Sequence, residues 1–334
     1  MAIESTKNKI LDPKIKREDE ELEIGLRPTN FREYIGQKRL KENLMIYVKS
    51  AKKRKEPLDH VLLYGPPGLG KTTMAGVLAK EMDSSLKITS GPALARTGDL
   101  ASILTNLKKF DFLFIDEIHR LSKNVEEVLY TAMEDFAVDI LIGKGPAAKT
   151  MRLNIEPFTL IGATTKIGGL TGPFRDRFGV VERLDYYLLE EIEQIMAVSA
   201  KKLEVEYERD VLNEMAKCCR GTPRVANRLL KRLRDFAVVE GEGVINKEIM
   251  ERSLKALRVD RNGLDSYDKL LLETMIDKFG GGPVGLDTLA AATSEDRETI
   301  ELVSEPYLLR LGLIEKTNRG RKVTERGRKV MRGE

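Results

Sequence analysis

Residues 65–73 read Gly65-Pro66-Pro67-Gly68-Leu69-Gly70-Lys71-Thr72-Thr73, which satisfies the spacing G-x-x-x-x-G-K-[ST] in full. Glycines at these positions let backbone N–H groups close around phosphate oxygens, and a helix that opens there adds a favourable field. Lys71 is placed to reach the β- and γ-phosphates of a nucleotide, and the Thr72 hydroxyl to ligate Mg²⁺. The expected nucleotide-binding set is therefore Gly65, Pro66, Gly68, Leu69, Gly70, Lys71, Thr72 and Thr73. A chance glycine-rich turn is the competing reading. The apolar run Val61–Tyr64 before the motif and the helical pattern after it weigh against that.

A second constellation stands at Phe112-Leu113-Phe114-Ile115-Asp116-Glu117. An apolar strand that ends in two acids delivers both to the C-terminal edge of a sheet, where phosphate chemistry takes place in parallel α/β folds. Asp116 then belongs to the Mg²⁺ shell, and Glu117 orients and polarises an attacking water. Two acids after a strand also serve as helix caps, but their pairing with a phosphate loop points to nucleotide hydrolysis.

These residues need elements to hold them. Val61–Tyr64, Leu86–Thr89, Phe112–Ile115, Thr159–Ala163 and Val180–Leu184 are short and rich in β-branched, Leu or aromatic residues. Amphipathic stretches such as Thr72–Met82 and Asn124–Phe136 separate them. That alternation predicts an α/β domain, a parallel sheet sandwiched by helices. After Tyr187 the strand signal stops, and Leu188–Glu204, Arg209–Arg220, Pro223–Val239 and Lys247–Leu257 have helical spacing. Thr222-Pro223 reads as an N-cap and a first-turn proline. Beyond the linker Val259–Leu264 come helices Ser266–Phe279 and Leu286–Thr293. A longer helix, Ser294–Arg310, follows, with Ser294 as its cap and Glu295 and Asp296 in its first turn. Strands Leu313–Lys316 and Arg321–Thr324 close the pattern around the turn Thr317–Gly320. Three helices and a basic hairpin predict a winged helix. The expected organisation is a flexible tail over 1–22, a large ATPase domain over 23–187, a small helical lid over 188–259 and a winged helix over 260–334.

Composition narrows the class. The chain has 334 residues, 41% hydrophobic and 33% charged, with a net charge of +4. No apolar run approaches the roughly 20 residues of a spanning helix. Met1–Glu21 is charged and has no apolar h-region, so a secretory signal is not expected. Cys218 and Cys219 are adjacent and unsuited to a mutual disulfide; buried thiols in a reducing cytoplasm are expected. Only His60 and His119 are present, which makes a zinc site improbable.

Charge is unevenly spread. Lys316, Arg319, Arg321, Lys322, Arg326, Arg328, Lys329 and Arg332 face one acid, Glu325, in the last stretch of the chain. Helix 294–310 instead carries Glu295, Asp296, Glu298, Glu301 and Glu305 against Arg297 and Arg310. An acidic recognition helix suits neither base edges nor phosphates. The wing residues Arg319, Arg321 and Lys322 are therefore the expected DNA contacts, gripping the backbone without reading sequence. A winged helix used only for protein contacts is the alternative.

Asp116-Glu117-Ile118-His119-Arg120-Leu121, Gly162-Ala163-Thr164-Thr165 and Gly172-Pro173-Phe174-Arg175-Asp176-Arg177-Phe178-Gly179 together resemble AAA+ ATPases. More narrowly they resemble the RuvB family of Holliday-junction branch-migration motors, from about Leu26 through Arg321. That resemblance implies that Thr165 is sensor 1. It makes Arg177 the arginine finger offered to a neighbouring subunit, ahead of Arg175, and Arg224 sensor 2. On spacing alone both arginines would instead pair with Asp176. The resemblance also implies that Leu26, Arg27, Tyr34 and Ile35 cover the adenine, with Tyr187 and Pro223 against the same base. Val138–Ile142 and Met151–Ile155 flank Gly143–Thr150 as a hairpin. In the family such a hairpin binds the junction-recognition partner RuvA through exposed apolar residues, here Ile140, Leu141 and Ile142. The implied assembly is a homo-hexamer on double-stranded DNA at four-way junctions, working with RuvA and RuvC. A nucleotide-switched transcription regulator and a clamp-loader-like protein are the competing readings.

Overall fold

The structure is a computed structural model that describes residues 25–142 and 149–333; at 140–142 and 149–150 it describes the backbone alone. The expected tail over 1–22 and the centre of the hairpin turn lie outside those residues. So do the side chains of Ile140, Leu141 and Ile142. The chain divides into two compact units. Arg27–Tyr186 forms one, while Leu26 and the described residues from Tyr187 onward belong to the other.

The first unit opens with α1 (Lys38–Arg54), whose Leu40, Leu44, Val48 and Ala51 recur at helical spacing and are buried. Strand β1 (Val61–Tyr64) runs into α2 (Lys71–Glu81), and β2 (Leu86–Ser90) into α3 (Thr97–Thr105). Strand β3 (Phe112–Asp116) leads through a short turn to α4 (Lys123–Asp135). The antiparallel hairpin β4 (Ala137–Ile142) and β5 (Lys149–Asn154) comes next, then β6 (Thr159–Thr164), α5 (Gly172–Arg175) and β7 (Val180–Arg183). Five strands form one parallel sheet in the order β2-β3-β6-β1-β7. All six residues of β6 are buried, as a central strand covered on both faces requires. Phe112, Phe114, Phe158 and Phe174 are among the largest fully buried side chains, and truncating any of them to Ala would cost about 3–5 kcal/mol.

The second unit contains α6 (Leu189–Lys202), α7 (Val211–Lys217), α8 (Pro223–Glu240) and α9 (Lys247–Ala256). It is not wholly helical: β8 (Glu206–Tyr207) and β9 (Val244–Ile245) form a short parallel ladder. Two residues are too few to leave a periodic signal. Thr222 occupies the N-cap of α8, but its hydroxyl donates to the Cys219 carbonyl rather than capping an N–H. Cys218 and Cys219 are free and buried, and burial pushes both thiols up, Cys218 to about 11.

Helices α10 (Ser266–Phe279) and α11 (Leu286–Thr293) precede a broken helix made of α12 (Arg297–Thr299), the π-helical turn Ile300–Ser304 and α13 (Glu305–Arg310). Ser294 does not cap this helix. It ends α11 in the left-handed region (φ 54°), and Asp296 is the cap, accepting from Thr299 N. The acid two residues along wins because its carboxylate reaches the first-turn amide. The hairpin is β10 (Ile314–Thr317) with β11 (Gly320–Val323), each strand lying one residue nearer the turn than expected. Val284 adds a bridge to Arg321, and the basic helix α14 (Glu325–Arg332) closes the unit.

Candidate functional site

The sheet order puts β3, β6 and β1 side by side and parallel. Their C-terminal ends carry Asp116 with Glu117, Thr165, and the phosphate loop, so three separate sequence signals meet at one edge. Tyr64 pairs with Thr164 in register, and Gly65 N donates to Thr164 O at 3.1 Å. The loop therefore starts directly against the strand that carries Thr165.

Gly65 has φ 141°, and a Cβ there would lie 2.5 Å from Leu184 O. No side chain fits, so the turn out of β1 needs glycine. Gly68 (φ 80°) and Gly70 (φ 94°) complete the loop in the left-handed region, and α2 begins at Lys71. Lys71 is only 8% exposed, and its Nζ donates to Gly65 O and Pro66 O, both at 2.8 Å. The ammonium is thus held against the loop it serves. Leu69 is fully buried beneath it, while Thr72 and Thr73 are half-buried on the first turn.

Asp116 is half-buried and accepts from Glu117 N at 2.9 Å. Glu117 takes the left-handed conformation (φ 49°), rare for a residue with a Cβ, and such outliers gather at functional sites. Arg120 holds its carboxylate at 3.3 Å. Thr165, one residue past β6, has a buried hydroxyl with no hydrogen-bond partner. An unpaired buried hydroxyl costs about 1–3 kcal/mol, which marks it as a group poised for a ligand. Sequence reasoning missed its neighbour, Thr164. That hydroxyl meets His119 Nδ1 at 2.8 Å and accepts from Lys166 N at 2.9 Å, so it locks the end of β6 to the turn that follows Glu117. Gln37 was also missed in this role: its amide donates to Asp185 O at 2.6 Å and accepts from Asp185 N at 3.2 Å.

The two arginines separate. Arg175 lies 3.9 Å from Asp176, whereas Arg177 ion-pairs with Glu134 at 3.0 Å, donates to the Tyr130 hydroxyl and stacks over that ring. The spacing-based pairing with Asp176 holds for Arg175 alone. Within the first unit Tyr34 is buried, and Arg27 and Ile35 are half-buried. In the second, Leu26 O lies 3.4 Å from Lys202 Nζ. Tyr187 N donates to Gly221 O, two residues before Pro223 and three before Arg224. In the wing, Arg321 is turned inward onto buried Glu305, through Nε at 2.8 Å and a second nitrogen at 2.7 Å. Lys322 pairs with Glu315 at 3.3 Å, and Arg319 is exposed at the tip.

Family models match almost the whole described chain: the Holliday junction DNA helicase RuvB P-loop domain over 26–184, the RuvB AAA lid domain over 187–260 and the RuvB C-terminal winged helix domain over 261–332. This chain belongs to the RuvB family. The "Holliday junction branch migration complex subunit RuvB" of Dehalococcoides mccartyi (strain CBDB1) is 57% identical over 318 residues, covering 95% of this chain and 91% of that one. Among solved structures, the "RuvB Holliday junction branch migration motor" of Thermotoga maritima is 45% identical with a TM-score of 0.84, covering 92% of this chain and 98% of that one. A point mutant of that Thermotoga protein matches with 46% identity, a TM-score of 0.85 and the same coverage. The chain is thus a P-loop ATPase of the AAA+ class with a RuvB lid and winged helix. No helix among the described residues is long and apolar enough to cross a membrane.

Proposed function

We propose that this RuvB-family ATPase drives branch migration of Holliday junctions in recombination and repair by pulling duplex DNA through a hexameric ring. The observation that carries the reading is the meeting of Lys71, Asp116, Glu117 and Thr165 on three adjacent strand ends, in a chain that matches RuvB through all three of its family segments.

The residues present suit a nucleoside triphosphate: a glycine cradle into which no side chain fits at Gly65, and an orphaned hydroxyl at Thr165. Lys71 and the loop amides hold the β- and γ-phosphates, and Thr165 contacts the γ-phosphate or the attacking water. Glu117 accepts the proton of that water. Thr72 and Asp116 would hold Mg²⁺, and two protein oxygens suffice because the ion keeps phosphate and water ligands. When bound, that ion neutralises charge on the leaving phosphates. Arg177 serves a neighbouring subunit's nucleotide and Arg224 acts as sensor 2. Leu26, Arg27, Tyr34, Ile35, Tyr187 and Pro223 enclose the base. The domain bounds 23–187, 188–259 and 260–334 divide motor, lid and DNA grip. RuvA docks on the β4–β5 hairpin through Ile140, Leu141 and Ile142, RuvC resolves the junction, and the assembly works in the cytoplasm. Asp296 and Glu298 are exposed on the helix that would enter a groove, which disfavours operator reading.

The test is ATP-dependent migration of a synthetic four-way junction, with and without RuvA. We expect DNA-stimulated phosphate release and branch migration, both abolished by Lys71→Ala. Migration that survives Lys71→Ala, or a wild-type chain that neither binds nor hydrolyses ATP with magnesium, refutes the proposal.

A further inference from the structure

One of the wing's cations is spent inside the domain, while the ion pairs of Lys316 and Lys322 leave both ammonium groups exposed. Arg321 is committed to Glu305, which is 4% exposed; Lys316 lies 3.6 Å from the same acid, and Lys322 lies 3.3 Å from Glu315. Arg321 is thus a strut that ties the hairpin to α13. Of the three wing residues expected to touch DNA, Arg319 alone has no acid within ion-pair distance among the described residues.

Helix α14 is different. Gly327, Val330 and Met331 point inward. A Cβ at Gly327 would lie 2.3 Å from Leu313 O, so the helix sits backbone-tight on the strand β10 entry. Arg328 is used to donate to Gly280 O at 2.7 Å. The outward face carries Arg326, Lys329 and Arg332, all exposed. None has a carboxylate partner among the described residues, and Glu325 in the first turn is the one acid on the helix. Like charges three residues apart repel by a few tenths of a kcal/mol. Solvated helix faces usually interleave signs, as Lys247, Glu248, Glu251, Arg252 and Lys255 do on α9. Successive cations on α14 rise by about 4.5 Å, close to the roughly 3.4 Å axial rise between phosphates on one DNA strand. The difference is within the reach of long side chains.

We infer that the exposed face of α14, through Arg326, Lys329 and Arg332, is a second phosphate-backbone contact beside the wing tip Arg319. This surface rests on the duplex-binding reading above. It grips any sequence, because each contact is a charge against a phosphate. Its rigidity comes from the Gly327 seat, so the stripe moves with the winged helix rather than trailing as a tail.

The experiment measures duplex affinity by fluorescence polarisation over a range of KCl concentrations, using the full chain. Arg326→Gln/Lys329→Gln/Arg332→Gln should lower the slope of log K against log salt by about 2–3, since each lost phosphate contact removes about 0.9. Arg319→Gln should lower it by about 1. Arg326→Lys/Arg332→Lys should keep the wild-type slope. Turnover of ATP without DNA should match wild type in the triple and double variants of α14, reporting intact folding. A triple variant with wild-type slope and affinity overturns the surface alone. Phosphatidylglycerol vesicles that bind the wild-type chain but not the triple variant, with duplex binding unchanged, assign the stripe to membranes and overturn it too. A wild-type chain that binds no duplex overturns both this surface and the reading it rests on.

Discussion

A hydroxyl buried without a partner is a cost that folding leaves uncompensated, and Thr165 carries one at the edge where the phosphate loop and the paired acids meet. Replacing it with Val keeps the shape and removes the orphan. Thr165→Val should therefore leave the melting temperature unchanged or raise it, a change under about 1 kcal/mol, while ATP turnover falls by about ten- to a hundredfold. Thermal melts and steady-state phosphate release on one preparation check both halves. A clear drop in stability would mean that the hydroxyl has a structural partner. Glu117 makes the complementary case. Its backbone is strained into φ 49° and Arg120 restrains its carboxylate. Glu117→Gln should retain nucleotide binding and lose turnover, as filter binding set against phosphate release would show; equal losses of both would remove its role as base.

At the scale of elements, what positions the site is the joining of strand ends by side chains of little chemical note. His60, just before β1, accepts from Leu160 N on β6 at 2.9 Å through Nδ1 and lies 3.2 Å from Met133 O through Nε2, which fixes the neutral tautomer. Burial is the main cause that lowers its pKa below the ordinary 6.5. A depressed value means that the neutral ring's contribution is fully present above about pH 6.5 and is lost as pH falls through the lower folded value. Thermal denaturation should accordingly show the ATPase unit losing stability below about pH 6.5, with a flatter profile in His60→Asn. An identical profile in the variant would clear His60. The second unit has a different joint. Arg220 (5% exposed) meets fully buried Asp268 at 2.5 Å and Asp265 at 3.3 Å, donates to Gly263 O, and lies over the Tyr307 ring. Removing Arg220 strands the buried Asp268 carboxyl, so Arg220→Ala should cost about 3–5 kcal/mol in denaturant unfolding, and Arg220→Met/Asp268→Leu much less. A cost typical of an exposed site would show the pair to be dispensable.

At the scale of the molecule, hydrolysis is proposed to depend on assembly, because Arg177 is offered to a neighbour. Within the chain it rests on Glu134 and Tyr130 at the surface. A guanidinium parked on an exposed, solvent-screened ion pair is released at little cost. Arg177→Ala should bind nucleotide normally and lose turnover by about a thousandfold or more. Mixing it with Lys71→Ala should restore part of the activity, because some interfaces then combine an intact loop with an intact finger. Phosphate release across a mixing series checks this. No recovery at any ratio, or normal turnover by assembled Arg177→Ala, would defeat the assignment in trans.

Local pattern determined a good deal. The five sheet strands, the loop that must bind phosphate and the winged helix were legible because hydrophobic period, glycine spacing and turn residues act over a few positions. The same reading put the expected chemistry on Lys71, Asp116 and Glu117, and the family resemblance added Thr165. It misplaced the cap at Ser294, where a nearby carboxylate competed for the same amide, and overlooked the two-residue strands of the second unit. What only the tertiary structure decided is where charges go once neighbours are chosen. Arg321 is spent on Glu305 while Arg326 and Lys329 are not, Arg177 leaves Asp176 for Glu134 and Tyr130, and Thr164 reaches His119 across 45 positions of chain. A long side chain has no preferred partner until packing brings one within reach, and no spacing along the chain encodes that meeting.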